Sequence, residues 1–176
     1  IEVFIGSEYR DAILLLQGHM TVYGGGGDDY LHGYGEYMKL YGEDGHDTIA
    51  GAWADDLLDG GAGDDRLSGD GGNDALLGGE GNDILEGGLG DDWLFGGTGD
   101  DTFVFRTGAG EDGISDFEVG VDKLELHDQG SMNFSSLMAT AEELGGSSWL
   151  HLDEGDIVVL HGVGLSDLTA SDFRFM

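Results

Sequence analysis

The sequence predicts an all-β fold: a two-sheet solenoid of short parallel strands, closed by a C-terminal segment with a short helix and a hairpin. Three observations predict it. From Gly6 to Val104 the chain runs in eleven unbroken nonapeptides of the form Gly-Gly-x-Gly-x-Asp-x-apolar-x. The eighth place is apolar in all eleven, from Ile13 to Phe103, while the first is Gly in ten and the sixth Asp in nine. Glycine supplies 36 of 176 residues with no proline and no cysteine, which excludes a collagen helix and a disulfide scaffold alike.

The elements follow in order. Residues 1–5 read as a lead-in from an upstream domain. Residues 6–104 are the repeat array. Glycine enters left-handed backbone conformations without steric penalty, so three per repeat mark a tight turn. The x-apolar-x that follows is a minimal strand with its middle side chain inward and its neighbours outward. Turn, strand, turn, strand makes a coil of two repeats, 18 residues, that buries its inner face only against neighbouring coils. "TGAGEDGIS" (107–115) and "FEVGVDKLE" (117–125) regain the frame after slips of two residues and one, so residues 105–126 extend the array. Residues 127–176 form the closing segment. "SSLMATAEEL" predicts a helix over residues 135–144, with Leu137, Ala141 and Leu144 on one face and Gly145-Gly146 as its stop. "WLHLDEGDIVVL" predicts a hairpin, and "LSDLTASDFRF" a helical turn opened by Ser166 and then a last strand.

Charge selects the partner. Thirty-seven acidic residues against six basic ones give a formal net charge of -31, which repels nucleic acid and anionic membranes and favours a cation. The longest apolar run near the start, residues 12–16, is far too short to span a bilayer. Turns on one side stack at about 4.8 Å, so the sixth-place residues form two columns. One holds Asp11, Asp29, Asp47, Asp65, Asp83 and Asp101; the other holds Met20, Met38, Asp56, Asp74 and Asp92. Carboxylates about 4–5 Å apart repel by roughly 1 kcal/mol in water and by more near protein. One apolar residue per nine is a thin core to set against that. A cation between turns resolves the conflict, and Ca²⁺ accepts carboxylates together with backbone carbonyls, about six to eight oxygens in all. The candidate ligands are these aspartates with the turn glycines Gly60, Gly61, Gly63, Gly78, Gly79, Gly81, Gly87, Gly88, Gly90, Gly96, Gly97 and Gly99. An ion between neighbours in a column gives five sites in the first and two in the second. Asp112 and Asp122 add one each, for seven to nine ions. Tyr9 replaces a turn glycine beside Asp11, and Ala52 and Ala54 do so beside Asp56, which weakens those turns.

"GGAGDDRLS", "GGEGNDILE", "GGLGDDWLF" and "GGTGDDTFV" resemble the RTX calcium-binding repeat without a lapse. The stretch from Asp101 to Leu126 is similar to the segment that follows the repeats in serralysin-type proteases and related secreted enzymes. The resemblance implies a right-handed parallel β-roll with Ca²⁺ in its turns, at the C-terminal end of a protein exported by a type I secretion system. It also implies that the closing segment carries an uncleaved secretion signal. The family includes accessory modules of alginate epimerases and lyases, lipases and adhesins, so the parent's activity stays open.

Two surface features carry further readings. Met20 and Met38 are either an eroded, apolar end of their column or part of a docking surface for an upstream domain, with Leu15, Leu16, Tyr34 and Tyr37. The outer face on the methionine side presents Tyr23, Tyr41, Leu57, Leu77, Trp93 and Phe95, while the opposite face is poorer in large apolar groups and ends in Val104. Such a patch is covered by the chain's own C-terminal part or by a parent domain, or else it is a glycan platform. Catalysis has little basis. The six histidines are scattered, with His19 and His46 as solvated turn residues, and neither a zinc spacing nor a nucleophile motif is present. The reading is a non-catalytic, secreted module, disordered until Ca²⁺ folds it. Its rival is a carbohydrate-binding accessory module; an adhesin end-cap is a third.

Overall fold

The computed structural model describes residues 2–15 and 18–176. Strands alternate strictly between two sheets. They are Glu2–Ser7 (β1), Ala12–Leu15 (β2), Met20–Gly26 (β3), Tyr30–Gly33 (β4), Met38–Asp44 (β5), Thr48–Ala52 (β6), Leu57–Ala62 (β7), Arg66–Gly71 (β8), Ala75–Glu80 (β9), Ile84–Leu89 (β10), Trp93–Thr98 (β11) and Thr102–Phe105 (β12). Glu111–Ile114 (β13) and Lys123–Leu126 (β14) continue the alternation. The closing segment holds Phe134–Thr140 (α1), Glu142–Leu144 (β15), Ser147–His151 (β16), Ile157–Leu160 (β17) and Phe173–Phe175 (β18).

Among the described residues one sheet has ten strands in the order β1-β3-β5-β7-β9-β11-β13-β17-β16-β15, and the other has eight, β18-β14-β12-β10-β8-β6-β4-β2. Register follows the 18-residue coil: Leu40 pairs Leu58, Leu58 pairs Leu76, and Leu76 pairs Leu94. The eighth-place side chains form the core between the sheets, and from Val22 to Phe103 none is more than 1% exposed. This is a parallel two-sheet β-roll.

The ends differ from expectation in ways that hydrogen bonding explains. Residues 2–5, read as a lead-in, already pair with β3 in register, Phe4 against Val22. The closing segment is not merely a lid. β17 adds to β13 and β18 to β14, both parallel, so the segment supplies one more coil to both sheets. It pairs with strand edges at the end of the roll and meets the methionine-side face at Trp93, whose ring lies 4.9 Å from that of His161. Val104, expected outside, is 6% exposed; it sits between Glu86 and Glu125 of neighbouring strands, where Arg106 reaches Glu86 at 2.7 Å.

The predicted hairpin is present, with His151 opposite Ile157. The predicted helix is shorter. It starts at an Asn133 cap with a reciprocal Ser136 bond and ends at Thr140. Residues 142–144 instead form β15, antiparallel to β16, and Leu144 is exposed. Gly145 and Gly146 both have positive φ, 62° and 80°, the backbone that a two-residue hairpin turn requires. That glycine pair turns a strand rather than stopping a helix. The last helical turn, Ala170–Asp172, is opened by Thr169 and not Ser166.

Candidate metal centres in the turns

Each turn is shaped by where a side chain would not fit. At the fourth place, Gly63, Gly81, Gly90 and Gly99 have φ between 127° and 139°. A Cβ there would meet the fourth-place carbonyl oxygen of the preceding coil, as Gly81 meets that of Gly63. At the first place the obstacle is the repeat's own carboxylate. A Cβ on Gly60, Gly78, Gly87 or Gly96 would overlap Oδ2 of Asp65, Asp83, Asp92 or Asp101 respectively. Glycine at the first place is therefore what lets the aspartate fold back into the turn.

The two oxygens of that aspartate do different work. Oδ1 accepts the backbone N–H of the sixth residue one coil earlier. Asp47 takes it from Asp29, Asp65 from Asp47, Asp83 from Asp65 (2.8 Å) and Asp101 from Asp83 (2.9 Å). In the other column Asp56 serves Met38, Asp74 serves Asp56 and Asp92 serves Asp74. The extension obeys the same rule despite its slips: Asp112 serves Asp92 at 2.9 Å and Asp122 serves Asp101 at 3.0 Å. Both columns thus run on into residues 105–126.

Oδ2 sorts the turns into two kinds. In Asp29, Asp47, Asp65, Asp74, Asp83, Asp92 and Asp112 it is buried without a hydrogen-bond partner. In each of these repeats the second residue has positive φ: Gly25, Glu43, Gly61, Asp70, Gly79, Gly88 and Gly108. Gly97, ahead of Asp101, shares that backbone sense. The other kind is closed. Asp11 Oδ2 accepts from Ser7 N–H at 2.7 Å, Asp56 Oδ2 from Ala52 N–H at 3.2 Å, and Asp122 Oδ2 from Glu118 N–H at 2.7 Å. Each donor is the second residue of its own repeat. A left-handed second residue turns its N–H away and leaves the carboxylate open.

Met38 occupies a turn in place of a carboxylate. It is fully buried, with its side chain against the α-carbons of Gly33 and Gly35, and Met20 packs partly buried on the core. Of the proposed docking companions, Tyr34 and Tyr37 are exposed, and Leu16 lies outside the described residues.

The fifth place carries a second ladder that sequence reasoning missed. Its side chain accepts the N–H of the fifth residue one coil later. Asp28 serves His46, Asp64 serves Asn82 and Asn82 serves Asp100 in one column; Asp55 serves Asn73, Asn73 serves Asp91 and Asp91 serves Glu111 in the other. His46 does the same with Nδ1, 2.8 Å from Asp64 N, so it is a ladder member and not a free turn residue. The run of Asp, Asn and His at this place was the available signal.

Burial is the main cause of perturbed acidity. It pushes the Asp112 carboxyl up to about 8, Asp65 and Asp74 to about 7, and Asp47, Asp83, Asp92 and Asp101 to about 6. The accepted backbone N–H pulls each of them the other way. Among the described residues no three His, Asp or Glu side chains converge on one point, so carboxylates alone build no cage. The donor set a turn offers is one orphaned carboxylate oxygen with a backbone carbonyl beside it: the Gly78 carbonyl oxygen approaches the same point at Gly60 as Asp65 Oδ2 does. All are hard oxygen donors, and they fit a calcium ion.

A β-roll whose turns repeat a buried, half-satisfied carboxylate defines a class of calcium-binding repeat module, and comparison with known proteins agrees. The RTX calcium-binding nonapeptide repeat matches residues 3–35, 39–58, 51–85, 68–103 and 77–114, more than half of the chain. The chain belongs to that family. Among solved structures, the AlgE6R2 subunit of the Azotobacter vinelandii mannuronan C5-epimerase is 33% identical, with a TM-score of 0.53 over 69% of this chain and 88% of that one. The AlgE6R3 subunit is 30% identical, with a TM-score of 0.52 over 67% and 78%. The extracellular lipase LipA from Serratia marcescens shares the fold at 21% identity and a TM-score of 0.54; the match covers all of this chain but only 40% of the lipase. A comparison with curated proteins finds no sequence match.

The raised carboxyls set a pH dependence for the metal-free chain. Unfolded, an Asp loses its proton near 3.8; folded, Asp65 keeps it to about 7. Protonation therefore favours the fold fully below about pH 4, and that advantage is lost as pH rises through about 6–8. In EDTA, far-UV circular dichroism should show more β structure at pH 5 than at pH 8. Equal or lower β content at pH 5 contradicts the assignment.

Proposed function

We propose that this chain is a non-catalytic module that calcium folds outside the cell, supporting type I export and the stability of a larger secreted protein. The observation that carries the reading is the row of buried Oδ2 atoms without partners. Calcium supplies these oxygens with positive charge. The chain's own residues do the rest: Oδ1 ties each turn to the coil before it, and the glycines bring carbonyls to the same place. Without the ion, an acidic, glycine-rich chain of net charge -31 repels itself and stays extended. That suits passage through an export channel out of a calcium-poor cytosol. Calcium outside binds only the folded turns, so its binding energy becomes folding energy. Nearest-neighbour coils make the transition cooperative.

The open turns are assigned as the metal turns, one ion to each of Asp29, Asp47, Asp65, Asp74, Asp83, Asp92, Asp101 and Asp112. Asp11, Asp56 and Asp122 are left as closed turns. A calcium titration followed by circular dichroism, with magnesium as control, tests the main claim. A cooperative gain of β structure with calcium alone supports it; a chain fully folded in EDTA at pH 8 refutes it. Counting bound ions by equilibrium dialysis tests the assignment. Asp83→Asn should lose about one ion, and Asp56→Asn should lose none. Equal losses would contradict the division into open and closed turns.

A second reading, a glycan-binding accessory module, draws on the stacked Tyr23 and Tyr41 rings, 5.0 Å apart on the outer face, and on the likeness to the epimerase subunits. Mannuronan added to the calcium-loaded chain with no heat of binding removes it.

A further inference from the structure

The outer face of the ten-stranded sheet sets one charge of each sign in an apolar field. From β1 to β11 each strand turns two side chains outward, aligned in two rows by the register. Lys39 of β5 and Asp59 of β7 are the only charged members of those rows, and apart from Thr21 the rest are apolar or aromatic. Neither belongs to a carboxylate column: Lys39 holds the seventh place of its repeat and Asp59 the ninth. Calcium in the turns therefore leaves both charges as they are.

The two stand on one diagonal of neighbouring strands, since Lys39 lies beside Leu57 and Tyr41 beside Asp59. The eight-stranded sheet repeats this relation with Arg66 of β8 and Glu86 of β10, in the same seventh and ninth places of their repeats. There the diagonal is bridged, at 3.6 Å. On the Lys39 diagonal it is not: aspartate is one methylene shorter than glutamate, and the Lys39 ammonium lies over the Tyr37 ring, 5.8 Å from its centroid. Among the described residues neither Lys39 nor Asp59 takes part in an ion pair.

That patch is complementary to itself. A two-fold axis between two facing copies, crossing the Lys39–Asp59 diagonal at its midpoint and at right angles, sets each Lys39 over the partner's Asp59. Tyr41 and Leu57, on the other diagonal, then face their own counterparts. Such isologous contact is the symmetry of the commonest homodimers, and it pairs two charges that one chain leaves apart. A neutral glycan would leave both unpaired, and a uronate would meet the Asp59 carboxylate.

We propose that this patch docks a second copy of the chain, forming a two-fold dimer held by two reciprocal Lys39–Asp59 bridges around Tyr41 and Leu57. Tyr23, stacked 5.0 Å from Tyr41, widens the apolar contact. Opposite charges set the register of the two copies, and like charges in the same places would oppose it.

Sedimentation equilibrium in saturating calcium, over a wide range of concentrations and with the fold verified by circular dichroism, tests this. The chain should reach the mass of a dimer. Lys39→Asp leaves two acids on the patch and Asp59→Lys leaves two bases, so either exchange alone should weaken self-association tenfold or more. An equimolar mixture of the two variants should form a dimer again, and so should the chain carrying both exchanges. Should an exchange impair folding, Lys39→Met and Asp59→Asn serve, each weakening the dimer threefold or more. A chain that stays monomeric at every concentration overturns the proposal and leaves the face to a glycan or another domain. A dimer that the single variants leave unchanged, or a mixture that does not associate, overturns it too.

Discussion

The structure depends on one constraint: a carboxylate buried in seven of the open turns with only one of its oxygens satisfied by protein. Leaving a buried acceptor unpaired costs about 1–3 kcal/mol, and more when it is charged. Seven such atoms, Oδ2 of Asp29, Asp47, Asp65, Asp74, Asp83, Asp92 and Asp112, therefore cost as much as the whole stability of an ordinary domain, about 5–15 kcal/mol. The proposed role of calcium follows from that cost: protons or a divalent cation would neutralise the column, and at neutral pH the cation is the one available.

The rest of the molecule arranges itself around that constraint. First-place glycines leave space for the carboxylate, fourth-place glycines let carbonyls crowd against the next coil, and left-handed second residues keep the N–H away from Oδ2. Glu43 and Asp70 hold that left-handed conformation without being glycine, at φ 75° and 70°, a local cost retained in turns whose carboxylates are open. Toward both ends the chain's own atoms fill or close the turns. Met38 fills a turn with a thioether. Ser7 closes the turn of Asp11, which is the first. At the other end Asp116 accepts from Gly96 and Gly97 N–H, Asp156 from Gly108 and Gly110, and Asp172 from Gly120. Those late acids accept backbone donors from neighbouring loops, unlike the turn aspartates whose Oδ2 is left without a partner.

Much of this was legible in the sequence because the nine-residue frame states both the core and the columns. Ile49, Leu67 and Leu85 follow from a count, and so do Asp47, Asp65 and Asp83. The slips before Asp112 and Asp122 were also readable, since the carboxylate and the apolar residue two places later survive them. What was not legible is local backbone sense. Whether Ala52 donates to Asp56 while Asp70 leaves Asp74 open depends on φ, which residue type biases but does not dictate. Gly145-Gly146 fits a helix stop and a hairpin turn equally well until β16 is seen to offer a pairing edge. Residues 2–5 lie in the first coil because β3 presents an edge to them, a tertiary fact that five residues cannot carry. The fifth-place ladder escaped notice because Asp, Asn and His look interchangeable with solvated turn residues until their acceptor atoms are placed.

Amide hydrogen exchange at the sixth-place residues tests the central claim most directly, because those N–H groups donate to the carboxylates in question. With calcium at pH 7.5, the amides of Asp47, Asp65, Asp74 and Asp83 should be protected together. In EDTA at the same pH they should exchange at rates close to those of an unfolded chain. Protection of the same amides in EDTA would show that the column tolerates its buried charge unaided, and the account would be wrong at its foundation.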